Sequence, residues 1–265
     1  MRLSEYVKQL QKQGKLWFTK EQALNDLVCS KESFRQALDK LKAKKRLVVI
    51  RRKLILIIPY EYESWGILPA DWFIDPLMKL LGIPYYVGLL SAGEFHGAAH
   101  QKPMQLQVVT GQAIKDIKHQ RVHIRFLYSD NISKIPTQLL QVNTGYAVVS
   151  TPETTALDLC RYYKASGYWS NVATVLAELK EKINAEKLAQ LANSQIYETP
   201  TIQRLGYLLS LPEVDAANLT NELAKIIQHK NARWVPLQPG RKFIDTARDP
   251  KWRIIINTEV EIDDI

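Results

Sequence analysis

TKEQALNDLVCSKESFRQALDKLKAKKRLVVIRRKLILII, Thr19 to Ile58, decides the fold of the amino-terminal part of this chain. Thr19 followed three residues later by Gln22 is a capping box, which predicts a helix carrying Ala23, Leu24 and Leu27 and ending by Val28. Ser30 is a second N-cap candidate, and a helix of about four turns should follow it to Lys44. Phe34, Ala37, Leu38 and Leu41 stand at i, i+3, i+4 and i+7, so they share one face. Two helices joined by a turn this short read as helix-turn-helix. Leu47–Ile50 and Leu54–Ile58 are β-rich runs separated by Arg51-Arg52-Lys53, a hairpin with a cationic tip. Helix, turn, helix and hairpin in that order predict a winged helix-turn-helix.

The charge follows the same division. Residues 1–58 hold fifteen Lys+Arg against five Asp+Glu, whereas the rest of the chain holds 21 against 22. All of the net +9 therefore lies in the first segment. Cations at a helix end oppose its dipole, which accounts for Lys42, Lys44 and Lys45 but not for the hairpin tip. A polyanion partner accounts for both.

Working outward, Leu3, Tyr6, Val7 and Leu10 predict a first amphipathic helix with Gly14 at its C′ position. Leu16-Trp17-Phe18 should pack beneath the helix pair. Tyr60 to Pro69 is aromatic and acidic without a period and reads as a connector. Asp71–Leu81 predicts a helix closed by Gly82 and Pro84. Tyr85–His96 predicts another, whose Gly88, Ser91, Ala92 and Gly93 admit a close neighbour. Met104–Thr110, Val122–Tyr128 and Tyr146–Ser150 predict three strands. Thr151-Pro152-Glu153 opens a helix with Pro in its first turn. Helices follow over Ser170–Leu179, Ala185–Ala192, Thr201–Leu211 and Leu219–Lys230, and Trp252–Asn257 predicts a closing strand. Strands grouped before helices give an α+β class: a winged helix-turn-helix, then a larger mixed α/β domain with a small sheet and a helical carboxy-terminal half. The expected domains are 1–59, then 60–84 as connector and start of the second domain, and 85–265.

Charged and hydrophobic fractions of 24% and 46% are those of a soluble globular chain. Cys29 and Cys160 make no disulfide framework and suit a reducing compartment. Arg2, Glu5, Lys8 and Lys12 interrupt the amino end, no signal peptide is read there, and no apolar run approaches a membrane span. The expectation is a cytoplasmic protein without a membrane partner.

Tyr85-Tyr86-Val87-Gly88-Leu89-Leu90-Ser91-Ala92-Gly93-Glu94-Phe95-His96-Gly97, followed by Gln101-Lys102-Pro103 and a strand, resembles the central signature of AbiE-type antitoxins of type IV toxin–antitoxin (abortive infection) systems. Val149-Ser150-Thr151-Pro152-Glu153-Thr154-Thr155-Ala156-Leu157-Asp158 is similar to the family's second signature. Trp234-Val235-Pro236-Leu237 and Trp252–Asn257 are similar to its closing segment. A bulkier residue than Gly93 would be expected before Glu94. The resemblance implies an amino-terminal winged helix that binds inverted repeats in its own promoter and represses transcription. It also implies a carboxy-terminal domain that counters a nucleotidyltransferase-type toxin, with stable direct binding not the rule.

The partner expected from residues and resemblance together is double-stranded DNA. The amino-terminal part of a second helix meets base edges, which nominates Lys31, Ser33, Arg35 and Gln36. Lys40, Lys42, Lys44, Lys45, Arg46, Arg51, Arg52 and Lys53 are nominated for the DNA backbone. Six such contacts would give log K a slope against log salt of about −5. Glu32 and Asp39 are able to accept from cytosine or to orient Arg35; for Glu32 helix-start electrostatics is preferred.

Enzyme motifs are sparse: there is no G-x-S-x-G, P-loop or dinucleotide fingerprint. Asp75, Glu94, Asp116 and Asp158 are the carboxylates from which a nuclease-type cluster would have to come, and their contexts are helix ends. His96 and His100 invite a metal, but Gly97 should break the helix between them. No catalytic residue, metal or cofactor is therefore assigned, and the chain is expected not to be an enzyme. The alternatives are a nucleic-acid-processing enzyme, or a ligand-responsive regulator with no toxin partner.

Overall fold

The computed structural model describes residues 1–98, 103–244 and 246–262. Among them the chain is mixed α+β, with ten α-helices and three sheets. It divides into two compact units. The first comprises Met1–Tyr85, Met104–Asp130 and Leu139–Val148, and the second Tyr86–Pro103, Asn131–Gln138 and Val149–Ile265.

The first unit begins with α1 (Leu3–Lys12), β1 (Trp17–Thr19), α2 (Lys20–Leu27), α3 (Lys31–Ala43), β2 (Leu47–Ile50) and β3 (Leu54–Ile57). The expected caps form. Thr19 Oγ1 accepts from Gln22 N at 3.2 Å while Thr19 N donates to Gln22 Oε1 at 2.8 Å. Val28 then turns left-handed and Ser30 Oγ accepts from Ser33 N at 3.1 Å. The strand β1 goes beyond the expected elements. It pairs antiparallel with β3, from Trp17↔Leu56 to Thr19↔Leu54, and β3 pairs on its other edge with β2. Thr19 thus ends a strand and caps a helix, while Phe18 is buried beneath the helices as expected. The core joins Tyr6, Leu10, Phe18, Leu27, Phe34, Leu47, Ile55 and Ile57, with Ala37, Leu38 and Leu41 packed against it. Tyr6 stands edge-on to Phe18 at 5.5 Å and its hydroxyl donates to Asp26 of α2 at 2.8 Å.

The segment after β3 is ordered by aromatics: Tyr62 meets Trp65 at 5.7 Å and Trp72 at 5.1 Å. The expected 71–81 helix starts later, as α4 (Ile74–Leu81), because Ala70–Trp72 is a 3₁₀ turn; Gly82 closes it at φ +68°. Next come β4 (Tyr85–Val87), β5 (Leu106–Thr110), β6 (Ile117–His119), β7 (Val122–Tyr128), β8 (Thr137–Val142) and β9 (Gly145–Ser150). They form a sheet of order β6-β7-β5-β4-β9-β8, with six strands in place of the three expected. Strands β5 and β7 run parallel from Leu106↔Ile124 to Thr110↔Tyr128, and β6 pairs antiparallel with β7. The chain passes between the units inside β4, β8 and β9.

In the second unit the expected 85–96 helix is shorter. Tyr85–Val87 is a wholly buried strand and the helix, α5 (Leu89–Phe95), begins after Gly88. Gly93 is closely packed: a Cβ there would stand 3.1 Å from the Ala98 carbonyl and 3.3 Å from Val175 Cγ1. Helices α6 (Pro152–Arg161), α7 (Tyr168–Leu179), α8 (Ala185–Asn193), α9 (Thr199–Leu209) and α10 (Ala217–His229) follow within a few residues of expectation. Helix α6 is central: it packs on α5, α7, α8 and α9, and all its residues from Glu153 to Cys160 are buried.

The closing strand is shorter than expected. Only β12 (Ile254–Ile255) pairs, with β10 (Val235–Pro236) and β11 (Arg248–Asp249). Arg253 is left-handed at φ +51°, which breaks the strand before Ile254. Trp252 is instead a core residue, its Nε1 donating to Ser210 Oγ at 2.8 Å.

Candidate nucleic-acid interface and a buried carboxylate centre

Helix α3 buries Phe34 and turns its charged side outward. There Glu32 gathers two of the four residues nominated for base edges. Arg35 Nη2 lies 2.9 Å from Glu32 Oε1, and Gln36 Nε2 donates to the same oxygen at 3.4 Å. Lys31 is exposed beside them. Ser33 is placed apart, since its hydroxyl accepts from Ser30 Oγ at 2.9 Å. Ser33, Lys40 and Lys44 border a groove of about 470 Å³, floored by Leu27, Phe34, Ala37 and Leu41. Lys42 is ion-paired to Asp39 at 3.4 Å.

The remaining nominated cations differ in their engagements. Lys45 is exposed at φ +54° in the turn after α3. Arg46 is half-buried, its guanidinium 4.1 Å above the Tyr60 ring. At the β2–β3 tip Arg51 and Arg52 are both left-handed, φ +51° and +57°, and Lys53 N donates to Ile50 O at 3.1 Å. Those φ signs are the ones a type I′ turn needs, a geometry that favours Asn-Gly. Arginine there carries roughly 1–2 kcal/mol of strain per residue. Arg51 donates to the Lys115 carbonyl, while Arg52 and Lys53 are exposed.

The second unit has a different kind of centre. Asp158 is fully buried, accepting from the Tyr86 hydroxyl at 2.7 Å and the Tyr197 hydroxyl at 2.8 Å. Burial raises its carboxyl to about 6, against the opposing pull of the two phenols and Arg161. Burial, then the facing carboxylate, pushes both tyrosines well above their usual range. His96 Nε2 stands 2.8 Å from the Ser150 carbonyl, and burial lowers its pKa. His100, its suggested metal partner, lies outside the described residues, as do Gln101 and Lys102 of the first signature. Glu153 Oε1 accepts from Asn184 N at 2.9 Å, tying α6 to the cap of α8.

The other carboxylates have local duties. Asp75 accepts from the Tyr85 hydroxyl at 3.0 Å and pairs with Lys79 at 2.7 Å. Asp116 accepts from Phe126 N at 3.0 Å. Among the described residues no three His, Cys, Asp or Glu are placed to hold a metal ion. Sequence reasoning missed Tyr86 and Tyr197 as the partners of Asp158. The only signal for the pair is that Tyr86 and Asp158 sit in the two family-like stretches.

The fold thus defines a mixed α+β chain with a cationic helix–helix–hairpin module in one unit and a sealed Tyr–Asp–Tyr centre in the other. Residues 86–211, which include that whole centre, match the family described as AbiEi antitoxin C-terminal domain. That match supports an AbiE-type antitoxin family for the segment, and with it an antitoxin function in abortive infection. Among solved structures, the crystal structure of RV2827C protein from Mycobacterium tuberculosis is similar at a TM-score of 0.68 and 15% identity, covering 95% of this chain and 90% of that one. A likeness at that identity shows a shared fold. An antigenic nucleotidyltransferase-like protein from Paracoccidioides brasiliensis reaches a TM-score of only 0.33 at 10% identity, covering 61% of this chain and 87% of that one. No curated protein matches the chain. Among the described residues no helix is long and apolar enough to cross a membrane.

Proposed function

We propose that the chain is a cytoplasmic antitoxin and transcriptional autorepressor of a type IV toxin–antitoxin system. In this reading residues 1–59 are a winged helix-turn-helix that binds inverted repeats in the chain's own promoter. Residues 60–84 join it to an antitoxin domain, 85–265, that counters a nucleotidyltransferase-type toxin without chemistry of its own. The observation that carries the DNA reading is the outward face of α3, where Glu32 holds Arg35 and Gln36 side by side. Arg is the side chain that forks onto guanine and Gln the one that pairs with adenine. Lys31 and Ser33 complete the proposed base contacts. Lys40, Lys42, Lys44, Lys45, Arg46, Arg51, Arg52 and Lys53 are the proposed backbone contacts, with exposed Arg52 and Lys53 foremost. Arg51 gives one of its five guanidinium N–H donors to the Lys115 carbonyl.

A gel shift with the chain's own upstream region tests the repressor half. Binding should weaken steeply with salt, and Arg35→Ala/Gln36→Ala should relax sequence choice. Arg52→Ala/Lys53→Ala should weaken all duplexes alike. Folded protein that binds no duplex at low salt would overturn it. Co-expression with the neighbouring toxin gene tests the antitoxin half. The full chain should rescue growth, and so should the Arg52→Ala/Lys53→Ala variant that binds DNA poorly. A full chain that leaves the toxin active would overturn that half.

A further inference from the structure

We propose that a second cationic hairpin, formed by β6 and β7 with the residues leading into them, is a phosphate-binding surface that extends the β2–β3 tip along duplex DNA. The inference rests on the DNA reading above and adds a contact surface outside the amino-terminal segment.

Residues 115–125, KDIKHQRVHIR, carry Lys115, Lys118, Arg121 and Arg125 against the single acid Asp116. Asp116 is already committed, accepting from Phe126 N at 3.0 Å and facing His123 at 3.5 Å. The strands alternate: Ile117, Val122 and Ile124 are buried, so Lys118 points the other way, paired across the ladder with His123. Lys115, Lys118 and Arg121 are exposed, Arg125 half-buried. Arg121 stands at the hairpin tip beside left-handed Gln120.

Two observations join this hairpin to the first. Arg51 of the β2–β3 tip donates to the Lys115 carbonyl, so the two cationic segments meet at those residues. Secondly, the intervening residues 59–85 hold one Lys against four Asp+Glu, so the cations are not a general property of this unit. Edge strands often carry a lysine to block pairing with other chains, and β6 is an edge strand. That role accounts for Lys118, but not for Arg121 at the tip, whose guanidinium stands 5.8 Å over the Trp65 ring, or for Lys115 beside Arg51.

At about 3.3 Å per residue, Lys115 to the tip spans roughly 16 Å, about half of a 34 Å helical turn, or about five base pairs. Three exposed cations over that length suit the backbone of duplex flanking the sequence read by α3. Each phosphate they neutralise should add about 0.9 to the salt slope.

The test uses the full chain and its Lys115→Ala/Lys118→Ala/Arg121→Ala variant, with Lys118→Gln/Arg121→Gln keeping the side-chain stems. Two duplexes from the upstream region are compared, one trimmed to the core protected from nuclease and one about ten base pairs longer. The wild type should prefer the longer duplex. The triple variant should lose that preference, shorten the footprint by about five base pairs on one side, and lower the salt slope by about 3 without changing sequence choice. If wild type and variants bind with the same slope and the same length dependence, the second hairpin is no contact surface. If the wild type binds no duplex at all, the DNA reading itself falls and this inference with it.

Discussion

The hydroxyl of Tyr86 donates a 2.7 Å hydrogen bond to the carboxylate of Asp158, 72 residues further along the chain. Tyr86 ends up there because β4 pairs parallel with β9 at Val87↔Val149, and β9 feeds directly into α6. His96 to the Ser150 carbonyl is a second tie between the same two stretches. The two family-like stretches are therefore one packed object. A buried carboxylate needs hydrogen-bond donors, which fixes the identity of the residues facing it.

The pH dependence of stability should report this centre. Asp158 takes up its proton at about 6 in the folded chain, against an ordinary value of 3.8. Between those values the folded state binds more protons than the unfolded one, so the contribution of Asp158 to stability falls as pH rises and levels off above about pH 6. A shift of about two units corresponds to roughly 3 kcal/mol. In denaturant unfolding from pH 4 to 7, the stability of wild type relative to Asp158→Asn should fall by about that amount. Parallel curves would mean the carboxyl titrates normally.

The β2–β3 tip should trade stability for binding. Arg51 and Arg52 sit in left-handed backbone, at roughly 1–2 kcal/mol each, where Asn-Gly would sit without strain. Arg51→Asn/Arg52→Gly gives up the bond to the Lys115 carbonyl, worth about 1 kcal/mol, and removes two cations. The double variant should gain about 1 kcal/mol in chemical unfolding and bind duplex DNA less tightly with a flatter salt slope. A variant that is less stable than wild type would show that the tip is not strained.

Local signals are legible in the sequence; long-range pairings are not. Thr19 with Gln22, Ser30, and Thr151-Pro152 act within one helical turn, and each caps the helix expected of it. Tyr85-Tyr86-Val87 reads as helix because the small residues that follow continue a helical period. Its burial in a parallel ladder depends on β9, some sixty residues away, which no local period encodes. Strand β8 gives no clear signal because adjacent Leu139 and Leu140 break the alternation. Glu32 reads as a helix-start charge, whereas its carboxylate reaches Arg35 and Gln36, a contact set by rotamers rather than by spacing alone. The cations of residues 115–125 are hidden in the whole-chain charge because an almost neutral remainder masks a local excess.

Gly206 should tolerate no side chain. A Cβ at this position of α9 would overlap the six-membered ring of Trp252, itself fully buried and hydrogen-bonded to Ser210. Overpacking of this kind costs about 1–3 kcal/mol where neighbours yield, and more where they are locked. Gln203 locks this one, donating to the Trp252 carbonyl at 2.9 Å. Gly206→Ala should therefore lose at least about 3 kcal/mol in chemical unfolding, or fail to accumulate as folded protein. Gly206→Ala combined with Trp252→Leu should recover part of the loss, and no recovery would place the strain elsewhere.

Glu32 should govern discrimination more than affinity. Its carboxylate holds Arg35 at 2.9 Å and Gln36 at 3.4 Å on a face where all three are exposed, so the pair is worth little to stability. Its value is geometric: a guanidinium held at one end presents its fork in one direction, and a free one meets any phosphate in reach. Removing a negative charge from a face that approaches a polyanion also strengthens binding to every sequence. Glu32→Ala should thus raise affinity for unrelated duplex and lower the ratio of operator to unrelated binding by about tenfold, within the 1–3 kcal/mol that a well-placed base contact supplies. Competition gel shifts at fixed salt measure both quantities. An unchanged ratio, with affinity for all duplexes raised equally, would reduce Glu32 to a charge at the start of a helix.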